Sequence, residues 1–404
     1  MTTAPAWRSD GLRQNRHEGA ALLVLEDGRA FRGESFGAIG QTLGEAVFNT
    51  GMTGYQETLT DPSYAGQVVV MTAPQIGNTG MNDEDGESDG IQVAGFVVRD
   101  PSPRPSSWRS RRSLESALVD AGVVGISGID TRALTRHLRE RGAMRVGISS
   151  VTADVEEVLA AVQAAPQMAG ADLAPGVSTK HRYVVAALGS PRFRVAALDL
   201  GIKTMTPHRM AQRGIEVQVH PARTTAEGLL ADFPDGVFIS NGPGDPATAD
   251  YAVQAVRGVL DAGVPLFGIC FGNQILGRAL GLSTYKLRYG HHGINLPVLD
   301  RATGKVEVTA HNHGFAIQAR EGSGAGEPFA AGYRPEPFDT PYGPAEISHV
   351  CLNDGVAEGL TCLETPAFSV QYHPEAAAGP HDADYLFDRF VKLLSAAKGQ
   401  RGHA

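Results

Sequence analysis

The second half of the chain alternates short, nearly continuous apolar runs with segments of mixed polarity. The apolar runs predict buried strands, and the mixed segments between them predict helices. Buried strands joined by helices are typical of a parallel sheet that is covered on both faces. We therefore predict an α/β fold with an open, mainly parallel sheet and helices on both faces. The predicted strands cover residues 194–200, 215–219, 236–240, 264–269 and 367–372, and the predicted helices cover residues 206–213, 225–232, 249–262 and 273–280.

The first half of the chain has a different pattern, in which short apolar runs are separated by turns and loops. The apolar runs at 21–25, 68–71 and 91–98 predict strands. The Glu-Asp-Gly sequence that follows the first run is typical of a hairpin turn. Asp130 or Thr131 is a candidate N-cap for a helix, and a second helix is predicted over 153–165. These patterns predict an α/β domain that is rich in β-structure.

The change between the two patterns falls within residues 183–193. It divides the chain into a flexible tail, an N-terminal domain, a linker, a C-terminal domain and a second tail. The predicted limits of these parts are 1–19, 20–185, 186–193, 194–396 and 397–404.

Composition narrows the class of protein. A net charge of −9 gives no general electrostatic attraction to nucleic acid, although the Arg-rich stretch 101–113 allows a small basic patch. The three cysteines argue against a disulfide framework, and no apolar run is long enough to span a membrane. The acidic stretch 81–90 is predicted to be a solvated surface loop. We expect a cytoplasmic protein that binds neither nucleic acid nor membrane.

The strongest candidate chemistry lies at the end of a predicted strand, in the pattern Gly268-x-Cys270-x-Gly272. This is the cysteine counterpart of the G-x-S-x-G nucleophile elbow. Cys270 precedes a predicted helix, whose dipole and free N–H groups favour the thiolate. The backbone N–H of Phe271 is placed to help hold an oxyanion. The alternative is a buried, inert cysteine.

Two more predicted strands end in polar motifs. The Gly/Pro-rich loop 240–246 offers backbone amides that can bind an oxyanion, although it also fits a plain turn. His373 and Glu375 are two residues apart in an extended segment, so Glu375 can orient His373 as a base; the alternative is a surface histidine. Strand ends meet at one edge of such a sheet. The motifs together predict attack of a thiolate on a carbonyl, followed by hydrolysis of a thioester.

The motifs GPGDP, GICFGNQ and HPE, in this order over residues 194–395, resemble the class I (triad-type) glutamine amidotransferases. The N-terminal half resembles the carbamoyl-phosphate synthase small chain family, and this resemblance extends over about residues 20–395. The segments that carry it are GEAVFNTGMTGYQE at 44–57, TDPSY at 60–64, GN at 77–78, GIDTR at 128–132, GHHG at 290–293 and NHGF at 312–315.

The resemblance implies a catalytic triad of Cys270 as nucleophile, His373 as base and Glu375 as orienting carboxylate. It implies glutamine binding by Ser63, Gly242, Gly244, Phe271, Gln274, Asn312, Gly314 and Phe315. The activity that it implies is hydrolysis of L-glutamine to glutamate and ammonia. A separate large subunit, docked on the N-terminal domain, would use the ammonia with ATP, bicarbonate and magnesium to make carbamoyl phosphate for arginine and pyrimidine biosynthesis.

Some features depart from the family pattern. Asn273 stands where many members have histidine, and the Gly/Pro-rich stretch 320–346 is longer than expected and predicts a flexible surface loop. The spacing of the histidines at 291, 292, 311 and 313 fits no zinc motif, so we predict no metal and no cofactor in this chain. Other functions stay open: the glutaminase chain of another synthase, a stand-alone cysteine hydrolase, or a non-enzymatic scaffold.

Overall fold

The computed structural model describes residues 19–318 and 336–401. Nearly all of the predicted N-terminal tail, most of the predicted loop 320–346 and residues 402–404 therefore lie outside the described residues. Within the described residues, no helix is long and apolar enough to cross a membrane.

The N-terminal part is built around a closed barrel of seven strands in the order β1-β2-β8-β6-β4-β3-β9. The strands of the N-terminal part, of which β5 and β7 lie outside the barrel, are β1 (Ala20–Leu25), β2 (Ala30–Gly37), β3 (Gln41–Asn49), β4 (Gln67–Met71), β5 (Gln75–Ile76), β6 (Gly95–Val97), β7 (Asp100–Pro101), β8 (Val124–Ser127) and β9 (Met144–Ser149). Its helices are α1 (Tyr55–Thr60), α2 (Leu114–Asp120), α3 (Thr131–Arg141), α4 (Val155–Ala164) and α5 (Ala174–Val177), with a 3₁₀ turn at Pro62–Tyr64.

Successive side chains of β1 pack into two different apolar clusters, one on each face of the strand. Leu23 and Leu25 join an apolar cluster that includes residues of α3, whereas Leu22 and Val24 pack against α4. Because successive side chains of a strand point to opposite faces, both faces of β1 are buried. The strand therefore reads as one continuous apolar run in the sequence.

Local sequence signals correctly predict two helices of the N-terminal part, α3 and α4. The side chain of Asp130 accepts a hydrogen bond from the backbone N–H of Ala133, so Asp130 is the N-cap of α3, and Gly142 follows the last residue of that helix. The predicted helix over 153–165 is α4. The predicted strand over 91–98 is wrong in extent, because only β6 is a strand and the N–H of Gln92 instead bonds the carbonyl of Leu59.

The C-terminal part contains one sheet of ten strands in the order β10-β12-β11-β13-β14-β19-β18-β17-β15-β16. Its strands are β10 (Tyr183–Val185), β11 (Phe193–Asp199), β12 (Ile215–Pro221), β13 (Gly236–Ile239), β14 (Leu266–Ile269), β15 (Ser283–Asp300), β16 (Lys305–Gln318), β17 (Ala345–Cys351), β18 (Ala357–Cys362) and β19 (Ala367–Val370). Its helices are α6 (Met205–Ala211), α7 (Ala226–Leu230), α8 (Asp250–Asp261), α9 (Phe271–Ala279) and α10 (Tyr385–Arg401), with a 3₁₀ turn at Pro246–Thr248.

The predicted parallel sheet forms the centre of this larger sheet. Strands β12, β11, β13, β14 and β19 run parallel, whereas β10 and the four strands from β18 to β16 pair antiparallel. One face packs against α7, α8 and α9, and the other packs against α6 and α10. Helices thus cover both faces of the parallel centre, as predicted.

Two details differ from the predicted limits. Strand β10 lies within the range 20–185 but pairs with β12 of the second sheet. Helix α10 continues to Arg401, so residues 397–401 are helical where the sequence predicts a tail.

Candidate active site

Cys270 occupies a strained turn between β14 and α9. Its backbone has φ 55° and ψ −103°, a left-handed conformation that non-glycine residues adopt rarely and that is often found at functional sites. A Cβ atom at Gly272 would lie 2.2 Å from the carbonyl oxygen of Ile239, so the turn requires glycine there. The predicted elbow is therefore present. The helix begins at Phe271 rather than near residue 273, which makes Cys270 its N-cap residue.

The thiol of Cys270 is almost fully buried, with the residue 2% exposed. Its Sγ lies 3.6 Å from the carbonyl oxygen of Asn312. Burial raises the pKa of the thiol and the carboxylate of Asp61 raises it further, whereas Lys203 and the N–H of Phe271 act in the opposite direction. The described site therefore favours a neutral thiol. The sequence predicts a thiolate from the helix N-terminus alone. In the structure, burial raises the pKa of the thiol by more than the helix N-terminus lowers it.

His373 and Glu375 form the predicted pair just beyond β19. Nδ1 of His373 lies 2.7 Å from Oε1 of Glu375, and both side chains are buried. Burial alone would raise the pKa of Glu375, but the charges of Lys203 and His373 lower it to about 2. Glu375 is therefore a carboxylate that orients the imidazole. Nε2 of His373 has no hydrogen-bond partner among the described residues, which leaves it free to accept a proton.

The sheet brings the cysteine and the histidine to the same edge. Strands β14 and β19 are parallel neighbours, with Ile269 opposite Val370. The N–H of Cys270 bonds the carbonyl of Val370 at 2.8 Å, and His373 follows three residues later. Two parallel strands thus end with a nucleophile candidate and a base candidate side by side.

A buried cation at this edge was not predicted. Nζ of Lys203, at the start of α6, lies 3.1 Å from Oε1 of Glu375 and 3.8 Å from Oδ2 of Asp61. The sequence did contain a signal, because Lys203 follows β11, whose carboxyl end lies at the same edge as those of β13, β14 and β19. A lysine has no fixed spacing to its partner in the sequence, however, so no local motif marks this ion pair.

The acidic stretch 81–90 also contributes to this cluster. Glu87 is only 2% exposed, and its carboxylate accepts a hydrogen bond from the N–H of Met205 at 3.3 Å. Burial raises the pKa of Glu87 to about 7, although Lys203 opposes the shift. The prediction of a solvated loop is therefore wrong at Glu87, which lies near the lysine that pairs with Glu375.

A cavity lies over Cys270, and all eight residues predicted to bind glutamine line it. Its lining consists of Ser63, Gln67, Met168, Gly242, Pro243, Gly244, Cys270, Phe271, Gln274, Asn312, His313, Gly314 and Phe315. Gln67, Met168, Pro243 and His313 are additions to the predicted set. The structure thus gathers the predicted residues into one place, and their binding of glutamine stays a prediction.

The Gly/Pro-rich loop of the cavity has a shape that only glycine permits. Gly244 has φ +93°, and a Cβ there would lie 2.5 Å from the carbonyl oxygen of Ala171. A Cβ at Gly242 would lie 2.2 Å from the carbonyl oxygen of Leu200. These close approaches require glycine at both positions, which is more than a plain turn demands.

Residues of the N-terminal part complete the cavity. Nδ2 of Asn241 donates to Oγ of Ser63 at 3.0 Å, and Nδ2 of Asn312 donates to Oδ2 of Asp61 at 3.0 Å. The N–H of Ser63 in turn bonds Oδ1 of Asp61 at 2.9 Å. The site therefore lies between the two parts of the chain, as predicted from Ser63.

Asn273, the noted departure from the family pattern, is buried behind the cavity. Its Nδ2 donates to Oε1 of Gln371 at 3.0 Å, and its Oδ1 accepts from Oγ of Ser369 at 2.8 Å. Gln274 also donates to the carbonyl oxygen of Phe315 at 2.7 Å. Asn273 thus ties α9 to β19, and within the described residues it makes no hydrogen bond to Cys270, His373 or Glu375.

The fold is that of a class I glutamine amidotransferase domain, and residues 196–393 match the family model with the description "Glutamine amidotransferase class-I". Residues 23–148 match the model for the carbamoyl-phosphate synthase small chain, CPSase domain. The chain belongs to the carbamoyl-phosphate synthase small chain family.

Curated relatives agree with this assignment along nearly the whole chain. A carbamoyl phosphate synthase small chain of Streptomyces coelicolor is 67% identical over 387 residues, which cover 95% of this chain and 98% of that protein. The corresponding protein of Streptomyces avermitilis is 68% identical, covering 94% of this chain and 97% of that protein. The small chain of Mycobacterium tuberculosis is 62% identical, covering 93% and 98%.

Proposed function

We propose that the chain is the glutaminase subunit of a carbamoyl-phosphate synthase. It hydrolyses L-glutamine to glutamate and ammonia through Cys270, His373 and Glu375, with a glutamyl thioester as intermediate. The observation that carries the proposal is the elbow cysteine beside a histidine whose Nδ1 is held by Glu375 at 2.7 Å and whose Nε2 is free within the described residues. This is the arrangement of an activated nucleophile and an oriented base.

The first half of the reaction begins from a neutral thiol. As Sγ of Cys270 attacks the side-chain carbonyl carbon of glutamine, Nε2 of His373 takes the thiol proton, and Glu375 stabilises the imidazolium. The N–H of Phe271 and the amides of the loop at Gly242–Gly244 hold the oxyanion. The carbon–nitrogen bond then breaks, and His373 gives its proton to the departing ammonia.

The second half of the reaction releases glutamate. His373 removes a proton from a water molecule, which attacks the thioester carbon. The carbon–sulfur bond breaks, the sulfur recovers a proton and glutamate leaves. Binding by Ser63, Gln274 and Asn312 would hold the ammonium and carboxylate groups of glutamine, which require polar partners.

The ammonia is used on a separate large subunit in this proposal. The curated relatives are small chains by name, and in the described residues the N-terminal barrel carries an exposed aromatic residue, Trp108, which is 92% exposed. Exposed tryptophan is frequent at protein interfaces. The large subunit would dock on the N-terminal domain to form a cytoplasmic heterodimer, hold ATP, bicarbonate and magnesium, and supply carbamoyl phosphate for arginine and pyrimidine synthesis.

Reconstitution tests the proposal. The chain is mixed with the large synthase chain from the same genome, and carbamoyl phosphate is measured with glutamine or with free ammonia. We expect Cys270→Ala to abolish the glutamine-dependent reaction and to leave the ammonia-dependent reaction intact. A mutant complex that ammonia cannot rescue would contradict the proposed division of labour. Glutamine hydrolysis that is indifferent to the large chain would favour a stand-alone hydrolase.

A further inference from the structure

Three histidines and one glutamate converge in the interior of the C-terminal part, behind the strand that supplies the cavity. His291 lies on β15, His311 and His313 lie on β16, and Glu358 lies on β18. All four residues are 6% exposed or less. One nitrogen or oxygen of each lies within 4.8 Å of the others. Such a group of buried imidazole and carboxylate ligands needs a physical explanation.

The inward-facing atoms of the four residues lie close enough together to share one metal ion. Nδ1 of His311 lies 3.3 Å from Nε2 of His313, and Nδ1 of His291 lies 3.2 Å from Oε1 of Glu358. Oε2 of Glu358 lies 3.6 Å from Nδ1 of His311, and Oε1 lies 3.8 Å from Nε2 of His313. Ligand atoms bonded to tetrahedral zinc at about 2.0–2.2 Å are separated by about 3.3–3.6 Å.

The outer nitrogens fix which ring atoms of two histidines carry protons. The hydroxyl of Thr309 donates to the carbonyl oxygen of Leu296, so its oxygen accepts from Nε2–H of His311 at 2.7 Å. The carbonyl oxygen of Phe315 can only accept, so Nδ1 of His313, at 2.9 Å, carries a proton. In neutral rings, Nδ1 of His311 and Nε2 of His313 then both present lone pairs to the same point.

These two lone pairs face each other beside a carboxylate. Oε2 of Glu358 makes no hydrogen bond within the described part of the chain, although the residue is fully buried. When Glu358 is ionised, these three electron-rich atoms face one another, and a cation at their centre would remove their repulsion. Nδ1 of His291 provides the fourth inward-facing atom.

His291 also has the outer partner that metal-bound histidines commonly have. Its Nε2 lies 2.7 Å from Oδ2 of Asp354, which gives a carboxylate–histidine arrangement. The charges also balance, because a divalent cation with neutral imidazoles is neutralised by the carboxylates of Glu358 and Asp354. Nδ1 of His311 and Nε2 of His313 thus each present an inner lone pair to a metal, and Nδ1 of His291 would exchange its hydrogen bond to Oε1 of Glu358 for a bond to the metal.

We propose that His291, His311, His313 and Glu358 bind one Zn²⁺ ion in a closed structural site. Three nitrogen ligands and one oxygen ligand in a tetrahedral, buried arrangement suit zinc, and four protein ligands leave no open coordination position. The ion would join β15, β16 and β18. It would also fix the position of the β16 segment whose residues Asn312, Gly314 and Phe315 line the cavity. The ion takes no part in the proposed glutaminase reaction, although His313 also lines the cavity over Cys270.

A zinc site here differs from the expectation of no metal in the chain. That expectation rested on spacing along the chain, and the ligands here come from three strands, with Glu358 45 residues beyond His313 in numbering. No short motif of the C-x-x-C or H-x-x-x-H kind is needed when a sheet brings the ligands together.

Metal analysis of the full chain tests the proposal. Protein without a histidine tag is incubated with Zn²⁺, passed through a desalting column and analysed by inductively coupled plasma mass spectrometry. We expect about one zinc per chain, as for other structural sites. Replacement by Co²⁺ should give the intense visible absorption of tetrahedral cobalt. Wild-type protein that retains no metal, or an octahedral cobalt spectrum, would overturn the site.

Variants locate the metal. Glu358→Gln and His311→Gln keep side chains of similar size and should lose the bound zinc, whereas His208→Gln, at an exposed histidine of α6, should retain it. Full zinc content in the Glu358→Gln and His311→Gln variants would assign the ion elsewhere, for example to Cys270, and would overturn the proposal. Because the wild-type measurements stand alone, a variant that fails to fold does not remove the test.

Discussion

Lys203 forms a buried ion pair with Glu375, in which Nζ lies 3.1 Å from Oε1. The same oxygen lies 2.7 Å from Nδ1 of His373, so one carboxylate oxygen joins the imidazole to the lysine. Lys203 also lies 3.8 Å from Asp61 of the N-terminal part. The carboxylate that orients the histidine is therefore held by a cation that also contacts the other half of the chain.

Replacement of Lys203 by methionine should lower the free energy of unfolding by about 3 kcal/mol, because a buried carboxylate loses its cation. In the wild type, Glu375 has its pKa lowered to about 2, so the pair stabilises the fold above the ordinary carboxyl pKa and this stability is lost as pH falls through about 2. Without the lysine the pKa rises, and the variant should lose stability as pH rises. Chemical denaturation over a range of pH measures both effects.

Lys398→Met is the matched control for that experiment. Lys398 is 56% exposed and pairs with Asp235 at 3.4 Å, so its loss should change the unfolding free energy by less than about 1 kcal/mol. Equal losses in the two variants would mean that the buried pair with Glu375 contributes nothing particular to stability.

Glu87 should make stability depend on pH near neutrality. Burial raises its pKa from 4.5 to about 7, so its contribution is fully favourable below pH 4.5 and is lost as pH rises through about 7. Glu87→Gln keeps an oxygen for the N–H of Met205 and removes the charge. As pH rises from acidic to alkaline values, the free energy of unfolding of the variant should therefore increase, relative to that of the wild type, by up to about 3 kcal/mol.

Glu84→Gln, in the same loop, provides the control for Glu87. Its side chain is 77% exposed and its ion pair with Arg109 lies at the surface, so the substitution should change the free energy of unfolding by less than about 1 kcal/mol. A difference between Glu87→Gln and the wild type that stays constant with pH would show that Glu87 titrates as a surface carboxylate.

Gly244→Ala should reduce glutamine hydrolysis by about 10²–10³-fold if the loop supplies an oxyanion donor. The new Cβ would lie 2.5 Å from the carbonyl oxygen of Ala171, and φ is +93°, so the loop must shift. Steady-state glutaminase assays measure the loss. Gly176→Ala, whose Cβ would meet nothing within 4 Å, should retain wild-type activity. Unchanged activity in Gly244→Ala would exclude this loop from the reaction.

Ser63→Ala should raise the KM for glutamine by about tenfold, the effect of about one hydrogen bond, with a smaller change in kcat. The side chain lines the cavity, and its partner Asn241 keeps a second hydrogen bond to the carbonyl oxygen of Gly201 at 2.8 Å. Ser106→Ala, at an exposed serine of the same domain, serves as the control. A fall in kcat at constant KM would place Ser63 in the chemical steps instead.

The sequence predicted the parts of the molecule whose signals are local. The alternation of buried strands and helices marked the centre of the C-terminal sheet, and the glycines around Cys270 marked the elbow. The pair of His373 and Glu375 could be predicted because two positions in an extended segment share one side. In these cases the relevant residues lie within a few positions of one another.

The missed features depend on contacts between distant residues. The closed barrel depends on pairing of β1 with β9, more than 100 residues apart, which no local pattern indicates. The alternation along the long hairpin of β15 and β16 is interrupted by register shifts, so its period was obscured. Glu87 reads as part of an acidic surface run, and only its contact with the segment at Lys203 buries it.

The most direct test of the central claim is to trap the covalent intermediate. The chain is mixed with glutamine, quenched rapidly with acid and digested, and the peptide that contains Cys270 is analysed by mass spectrometry. The account predicts a glutamyl adduct on Cys270 that accumulates and then disappears as glutamine is consumed, and that is absent in Cys270→Ala. Continued glutamine turnover by Cys270→Ala, or an adduct on another residue, would contradict it.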